Sequence, residues 1–508
     1  MSKSKHPVAP PPSTPSFSLS EGAKNRILWI LYAIWAVLVI VGISYHEQWR
    51  DETSDWSTVR HTGIVELFKT MLPQIGHPPD WYLLMYPLGN IGLPLVTINI
   101  VCALIMALAM YLMLFKIKFP FYLKLSLIFC MFFVYEYPVV GRNYALVVMF
   151  LMLVLWYYPK RFERPWIYAL LLVGLFNTHS MAFPMAFGLM VLYFWELVEF
   201  KKLNGSSIGA AIFIFIGGMY LIPYMALPGL KAQNKVMHIA NHYVQIRTAL
   251  GKGFLVGGFQ DLDTMGTLAV LGFIALMLFM LPRLKPFAVL LCGAGGLIYI
   301  LGYKYNGEHR HAGILMVEVL FTYGLAVYYA NDKFTLKSPL SEKGYRYGTI
   351  LLAVMLFWQS YLGVNTVKYE VDTEFSDSKA AADFLMDNNL EHDILVGHQS
   401  WAASSVLQQL PSDCKMYWAD TRRWGYFIKF DSLFLANQFK FNGDYAAIVA
   451  QETFPDSLNH VILVMSLPIE SPQLQAHWKP IYAGGIYGPD GIAPVKKQES
   501  YIIYKYQP

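Results

Sequence analysis

ILWILYAIWAVLVIVGISYHEQWRDE, residues 27–52, runs for nineteen residues without a charge and then presents Arg50, Asp51 and Glu52 in succession. An α-helix needs about 20 apolar residues to cross hydrocarbon, so this stretch reads as a membrane anchor that delivers three charged side chains to the lipid boundary. It has no convincing small-residue cleavage site of the kind a signal peptide carries. The pattern recurs along the chain, and spans are expected at 27–45, 94–115, 119–138, 143–159, 165–180, 181–199, 207–227, 264–282, 286–303, 312–330 and 347–367. Composition agrees: 508 residues are 56% hydrophobic and 14% charged, against about 25% charged in soluble domains. The fold class expected is a polytopic α-helical membrane protein of about eleven transmembrane helices with a C-terminal extracytoplasmic α/β domain.

Basic residues in short loops stay on the cytoplasmic side during insertion. With a cytoplasmic N-terminus the inner segments hold eighteen Lys and Arg and the outer ones ten. Residues 1–26 then form a cytoplasmic tail whose Pro- and Ser-rich start should be disordered. Residues 27–367 form the membrane domain with outer loops 46–93 and 228–263, the latter a connector or a lid. Residues 368–508 form the outer domain, placed in the periplasm or outside the cell. The net charge of +5 mostly reflects the inner-face bias; no basic tract interleaved with aromatics points to nucleic acid. Cys102, Cys130, Cys292 and Cys414 form neither a disulfide framework nor a metal-binding set.

The outer domain shows β-type runs at 393–396, 415–418, 426–430, 461–465 and 501–506, and helical stretches at 378–388 and 402–410. His398 and the run Asp420-Thr421-Arg422-Arg423 are its most polar marks, without a nucleophile and base at a recognisable spacing. In the first outer loop Trp81, Tyr82, Leu83, Leu84 and Tyr86 suit a helix lying at headgroup level. Intramembrane acids are functional candidates by default, but Glu318 stands alone in its span, and an internal hydrogen bond is its commoner explanation.

The residues able to carry chemistry gather at the outer boundary. Asp51 and Glu52 are candidate general bases, because low-dielectric surroundings keep a carboxylate basic. Arg142 and the Arg310-His311 pair occupy short outer segments where cations are disfavoured, so each calls for an anion, and the guanidinium fork matches phosphate. Pairing of Arg142 with Glu136 is the competing reading. His77 is held extended by the prolines after it; His179 marks the corner between the fifth and sixth spans. Asp51, Glu52, His77, Glu136 and His179 could together hold a divalent cation, although no ligand spacing marks a metal site.

Arg50-Asp51-Glu52 followed by Trp56 and Arg60, Gly76-His77-Pro78-Pro79-Asp80-Trp81-Tyr82, Tyr135-Glu136-Tyr137, Arg142-Asn143-Tyr144 and Asn177-Thr178-His179 occur in that order. In this order the chain resembles the GT-C superfamily of integral membrane glycosyltransferases, in particular bacterial relatives of protein O-mannosyltransferases and of the lipid A aminoarabinose transferase. The resemblance covers roughly the first 200 residues, with Arg310-His311-Ala312-Gly313 as a further element. It implies transfer of a sugar from a polyprenyl-phosphate donor to a glycan, lipid or protein acceptor at the outer face, with inversion. Asp51 would be the base with Glu52 its neighbour. Arg142, Arg310 and His311 would hold the donor phosphate, and His77, Tyr144, His179 and Glu136 would line the pocket. Asp55, one turn after Asp51, departs from the family pattern and leaves three acids as candidate bases. A lipid-linked polysaccharide polymerase or ligase is the alternative enzyme, and a transporter or scaffold the non-enzymatic one.

Overall fold

The computed structural model describes residues 19–222, 241–255, 262–305, 307–337, 339–429, 431–437, 442–484 and 499–508. Most of the tail expected over 1–26 and much of the connector at 228–263 lie outside these residues. Among the described residues, seven helices are long and apolar enough to cross a membrane: 21–45, 97–116, 180–199, 263–280, 284–303, 309–329 and 341–372. Shorter apolar helices occupy 144–160, 165–176 and 205–219. The chain is a helical membrane protein with a small sheet region at its C-terminal end.

Seven helices build the parts that matter for the site: α1 (Glu21–Tyr45), α2 (Arg50–His61), α3 (Asp80–Asn90), α4 (Tyr144–Tyr157), α5 (His309–Ala326), α6 (Pro339–Asp372) and α7 (Ser400–Gln409). The apolar window of α1 is 22% buried, whereas that of 309–329 is 89% buried. Helix α1 therefore turns Ile30, Val37 and Ile40 outward, as a lipid-facing helix must, and α5 is enclosed by protein. Glu318 on α5 is fully buried, and neither carboxylate oxygen has a hydrogen-bond partner. The internal hydrogen bond expected for it is not made.

The stretch 119–138, expected as a continuous span, breaks into a helix at Phe121–Leu127 and a π-helical turn at Phe132–Glu136. Irregular backbone survives at membrane depth where protein rather than lipid surrounds it. Residues Cys130 to Tyr137 are indeed buried, and the Trp35 indole of α1 donates to the Phe133 carbonyl at 2.8 Å. At the far end of the bundle, Lys285 contacts Glu199 and Asp332, each at 2.8 Å, while Arg161 contacts Glu196 at 2.8 Å. These buried pairs tie together helix ends that the loops alone would leave independent.

The C-terminal domain carries a six-stranded mixed sheet in the order β3-β2-β1-β4-β6-β5. The strands are β1 (Ile394–His398), β2 (Met416–Trp418), β3 (Arg423–Gly425), β4 (Val461–Met465), β5 (Trp478–Ala483) and β6 (Ile502–Tyr506). Strand β1 runs parallel to β2 and β4; the other pairings are antiparallel. Of the run expected as a strand at 426–430, the described residues 426–429 are not one: pairing with β2 falls on Arg423–Gly425. Strand β5 had no clear alternation in its sequence and takes its place by pairing with β6. His398 and Asp420 meet at 3.0 Å inside this domain, and Asp420 also accepts from the Ser400 hydroxyl and amide. Arg422 and Arg423 form exposed pairs with Glu452 and Asp431.

Candidate functional site

Helix α2 starts where the sequence places its acids. Asp51 and Glu52 lie in its first turn, which favours negative charge. Glu52 sits at the third helical position and accepts from the Trp49 amide at 3.2 Å, the return half of a capping box. The three acids of this helix have three different surroundings.

Glu52 is fully buried, and its lone pairs are occupied. One carboxylate oxygen accepts from the Gly141 amide at 2.5 Å and the Asn99 amide at 2.6 Å. The other faces His46 Nε2 at 3.0 Å, and the opposite His46 nitrogen lies 2.6 Å from Glu370 of α6. Gly141 admits no side chain here, since a Cβ would come within 2.7 Å of Ile98 and 2.9 Å of the Glu52 carboxylate. Burial by itself would depress the His46 pKa, but the charges of Glu52 and Glu370 outweigh it and push it up to about 10. Because the folded value exceeds the unfolded one, the stabilisation is complete below about pH 6.5 and is lost as pH rises through about 10. Glu52 thus differs from the base expected of it: it welds α1, α2, α6 and the Gly141 turn together. Glu52→Gln should lower the unfolding free energy by about 3 kcal/mol, since it removes one of the two buried carboxylates facing His46 and sets an amide where four donors converge on a carboxylate. Thermal unfolding followed by circular dichroism checks this; a midpoint unchanged from wild type would mean that the carboxylate charge is dispensable.

Asp55 is also buried, and donors surround it. Trp81 Nε1 donates to it at 3.0 Å, the Tyr82 hydroxyl at 2.6 Å and Arg142 Nη1 at 2.8 Å. Trp81 and Tyr82 are fully buried, so the headgroup-level surface expected of them is a cradle for Asp55 instead; Leu83 and Leu84 are the exposed pair. Gly76 makes the turn with φ of 68°, a left-handed conformation that glycine adopts at low cost. His77 follows, its Nδ1 3.1 Å from the Tyr82 hydroxyl. Burial, reinforced by the charge of Arg142, pushes the His77 pKa down to about 4 despite Asp55 and Asp51, so this imidazole is neutral at physiological pH.

Asp51 alone of the three keeps an open face. Its side chain is 32% exposed, and cations stand close to it. Arg310 Nη2 of α5 lies 3.1 Å from one carboxylate oxygen, Arg50 Nε 4.0 Å from the other, and Arg142 Nη1 donates to the Asp51 carbonyl at 2.7 Å. Burial by itself would raise the Asp51 pKa, but Arg142, Arg310 and Arg50 override it and hold the group below the ordinary carboxylate range. The elevated basicity expected from low-dielectric surroundings is reversed, because three guanidinium charges stand closer than the lipid.

Arg142 pairs with Asp55 rather than with Glu136, whose carboxylate is buried and, among the described residues, has neither a hydrogen bond nor an ion pair. The Nε–H groups of Arg142 and Arg310 are buried without a hydrogen-bond partner. The Tyr144 ring lies tilted against His179 at 4.9 Å and meets His311 edge-on at 5.5 Å; His77 and His179 centroids are 6.3 Å apart. His179 Nδ1 accepts from the Met181 amide at 3.0 Å and His311 Nδ1 from the Glu308 amide at 3.0 Å, so both rings are oriented by helix ends. The His311 Nδ1 therefore serves as an acceptor at the start of α5. The acid, the two arginines and the aromatic wall meet although they come from segments up to 259 residues apart. Among the described residues no group of three or more His, Cys, Asp or Glu is disposed to hold a metal ion.

His46 and Glu370 escaped the sequence reading. A histidine one residue past a span and a glutamate near the end of the last one look like boundary residues, and only their approach across 324 residues marks them. Comparison with protein-family models and with curated proteins finds no match for this chain.

Proposed function

We propose that this chain is an inverting membrane glycosyltransferase that takes its sugar from a polyprenyl phosphate and works at the outer face, with its N-terminus in the cytoplasm. The observation that carries this reading is Asp51: a carboxylate with one open face, set between two arginines whose Nε–H groups lack partners. Phosphate offers the acceptors those donors need, and the guanidinium plane matches it in two directions.

In the reaction the bond between the anomeric carbon and the phosphate oxygen breaks while the acceptor oxygen bonds to that carbon from the opposite side. The acceptor hydroxyl gives its proton to Asp51, and polyprenyl phosphate leaves with the bond's electron pair. Arg142 and Arg310 meet the charge that grows on the leaving phosphate, so they stabilise the transition state more than the ground state. The neutral His77, His179 and His311 rings with Tyr144 supply a polar wall without competing for the phosphate. Donor binding also acts on the base: a phosphate that engages Arg310 and Arg142 draws their charge away from Asp51 and raises its proton affinity. The base is thereby armed when the sugar is present.

Purified protein in detergent, given a polyprenyl-phosphate sugar labelled in the sugar ring, should release polyprenyl phosphate and form a product of inverted anomeric configuration. Nucleotide sugars should not replace the donor. If no polyprenyl-phosphate sugar of any common hexose or pentose is consumed, with the outer loops intact by limited proteolysis, the reading fails. Extension of a lipid-linked glycan by the same protein would place it instead among polymerases or ligases.

A further inference from the structure

Helix α2 is held from above as well as from below. Its first amide, that of Arg50, donates to both carboxylate oxygens of Glu499 at 3.2 and 3.3 Å, and Arg50 Nε lies 3.8 Å from the same carboxylate. Two residues upstream, the Gln48 carbonyl accepts from the Ser378 hydroxyl at 3.0 Å. One turn downstream, the hydroxyls of Thr53 and Ser405 lie 3.3 Å apart, where α2 packs along α7 of the outer domain. Glu499 is itself anchored by the Ser376 hydroxyl at 3.1 Å and by the Tyr501 hydroxyl, whose single proton is shared between the Glu499 carboxylate and the Ala402 carbonyl of α7, each at 2.9 Å.

The residue after Arg50 is Asp51. We propose that Glu499 is a positioning residue for the base: through the Arg50 amide, the outer domain sets the start of α2 and with it the direction in which the Asp51 carboxylate points. The inference rests on the function proposed above for Asp51. The membrane side of α2 is tied by Glu52 and Asp55, but these fix the faces of the helix that look inward. The amide at the helix start has no intrahelical acceptor, and here its acceptor belongs to the last segment of the chain, 449 residues away. A displacement of about 1 Å at a reacting group can cost on the order of 100-fold in rate, so a bond one residue from the base is well placed to matter.

The clasp also responds to pH. Burial, only partly offset by Arg50, Tyr501 and Ser376, pushes the Glu499 pKa up to about 7. The charged or titratable groups around it are Arg50 of α2, Tyr501 beside it and Asp377, whose amide bonds the Glu499 carbonyl at 3.3 Å. A raised folded pKa means that the carboxyl's contribution is complete below about pH 4.5 and is lost as pH rises through about 7.

The test uses the full chain in detergent, comparing wild type, Glu499→Ala and Glu499→Gln by amide hydrogen exchange and by transfer kinetics. Glu499→Ala should speed exchange of the 50–55 amides about 10-fold or more while the membrane helices keep their protection, and should lower kcat about 10- to 100-fold with the donor KM little changed. Glu499→Gln keeps a carbonyl for the Arg50 amide and carries no charge. It should restore most of the rate and flatten the change in 50–55 protection that wild type shows between pH 6 and 8. Wild-type exchange over 50–55 in Glu499→Ala overturns the clasp, whatever the activity. Equal losses in kcat and in global thermal stability, unrelieved by glutamine, would reduce Glu499 to a structural role. A wild-type protein that transfers no sugar but loses α2 protection in Glu499→Ala would overturn the function alone.

Discussion

Asp51→Asn should reduce sugar transfer by about 100- to 10,000-fold, the range a positioned general base contributes, and leave the fold nearly untouched. Asparagine keeps an oxygen for Arg310, and the side chain is 32% exposed, so unfolding free energy should stay within about 0.5 kcal/mol of wild type. Donor binding, measured by quenching of the site's tryptophans on titration with polyprenyl phosphate, should hold or tighten, because a competing carboxylate has gone. The pH profile carries a second signature. Asp51 is held below the ordinary carboxylate range by Arg142, Arg310 and Arg50 against the effect of burial. A base must be deprotonated, so the acid limb of kcat/KM, which reports the free protein, should lie below the range of an ordinary carboxylate. With donor phosphate on the arginines the limb of kcat should lie at higher pH. Activity within a few-fold of wild type in Asp51→Asn removes the residue from the chemistry.

Arg142 should cost more in stability than any other residue of the site. Its guanidinium bonds Asp55 at 2.8 Å and the Asp51 carbonyl at 2.7 Å, and Arg142→Ala would leave Asp55 charged and enclosed by Trp81 and Tyr82. Removing one partner of a buried pair costs about 3–5 kcal/mol. A loss of activity in that variant alone would not separate scaffold from chemistry. The double variant Arg142→Ala with Asp55→Asn does separate them. It removes both charges, so thermal stability should recover by more than half, while transfer stays at least about 100-fold down because the leaving phosphate lacks its donor. Recovery of both would make Arg142 a strut for α2 and leave Arg310 as the sole phosphate ligand.

The membrane class and the special turn at Gly76-His77-Pro78 were legible because each rests on local chemistry: apolar length and proline's fixed φ. The division of labour among Asp51, Glu52 and Asp55 was not legible. Neighbouring residues on one helix share propensity, solubility and charge, and differ only in what the rest of the chain brings to each face. Glu52 meets His46, Asn99 and Gly141; Asp55 meets Trp81, Tyr82 and Arg142; Asp51 meets Arg310 and is a third exposed. The broken segment at 119–138 escaped for a related reason. Hydropathy registers that residues are apolar, not whether lipid or protein lies against them, and only lipid demands an unbroken helix.

What the sequence determined alone was a chain that must enter a membrane and leave its polar minority at the boundary, since the cost of burying charge in hydrocarbon is paid residue by residue. Tertiary structure decided which of those polar residues are enclosed by partners and which keep an exposed face. That choice depends on whether a group's charge is answered by partners distant in the sequence, as for Glu52 and Asp55, or left a third exposed, as for Asp51.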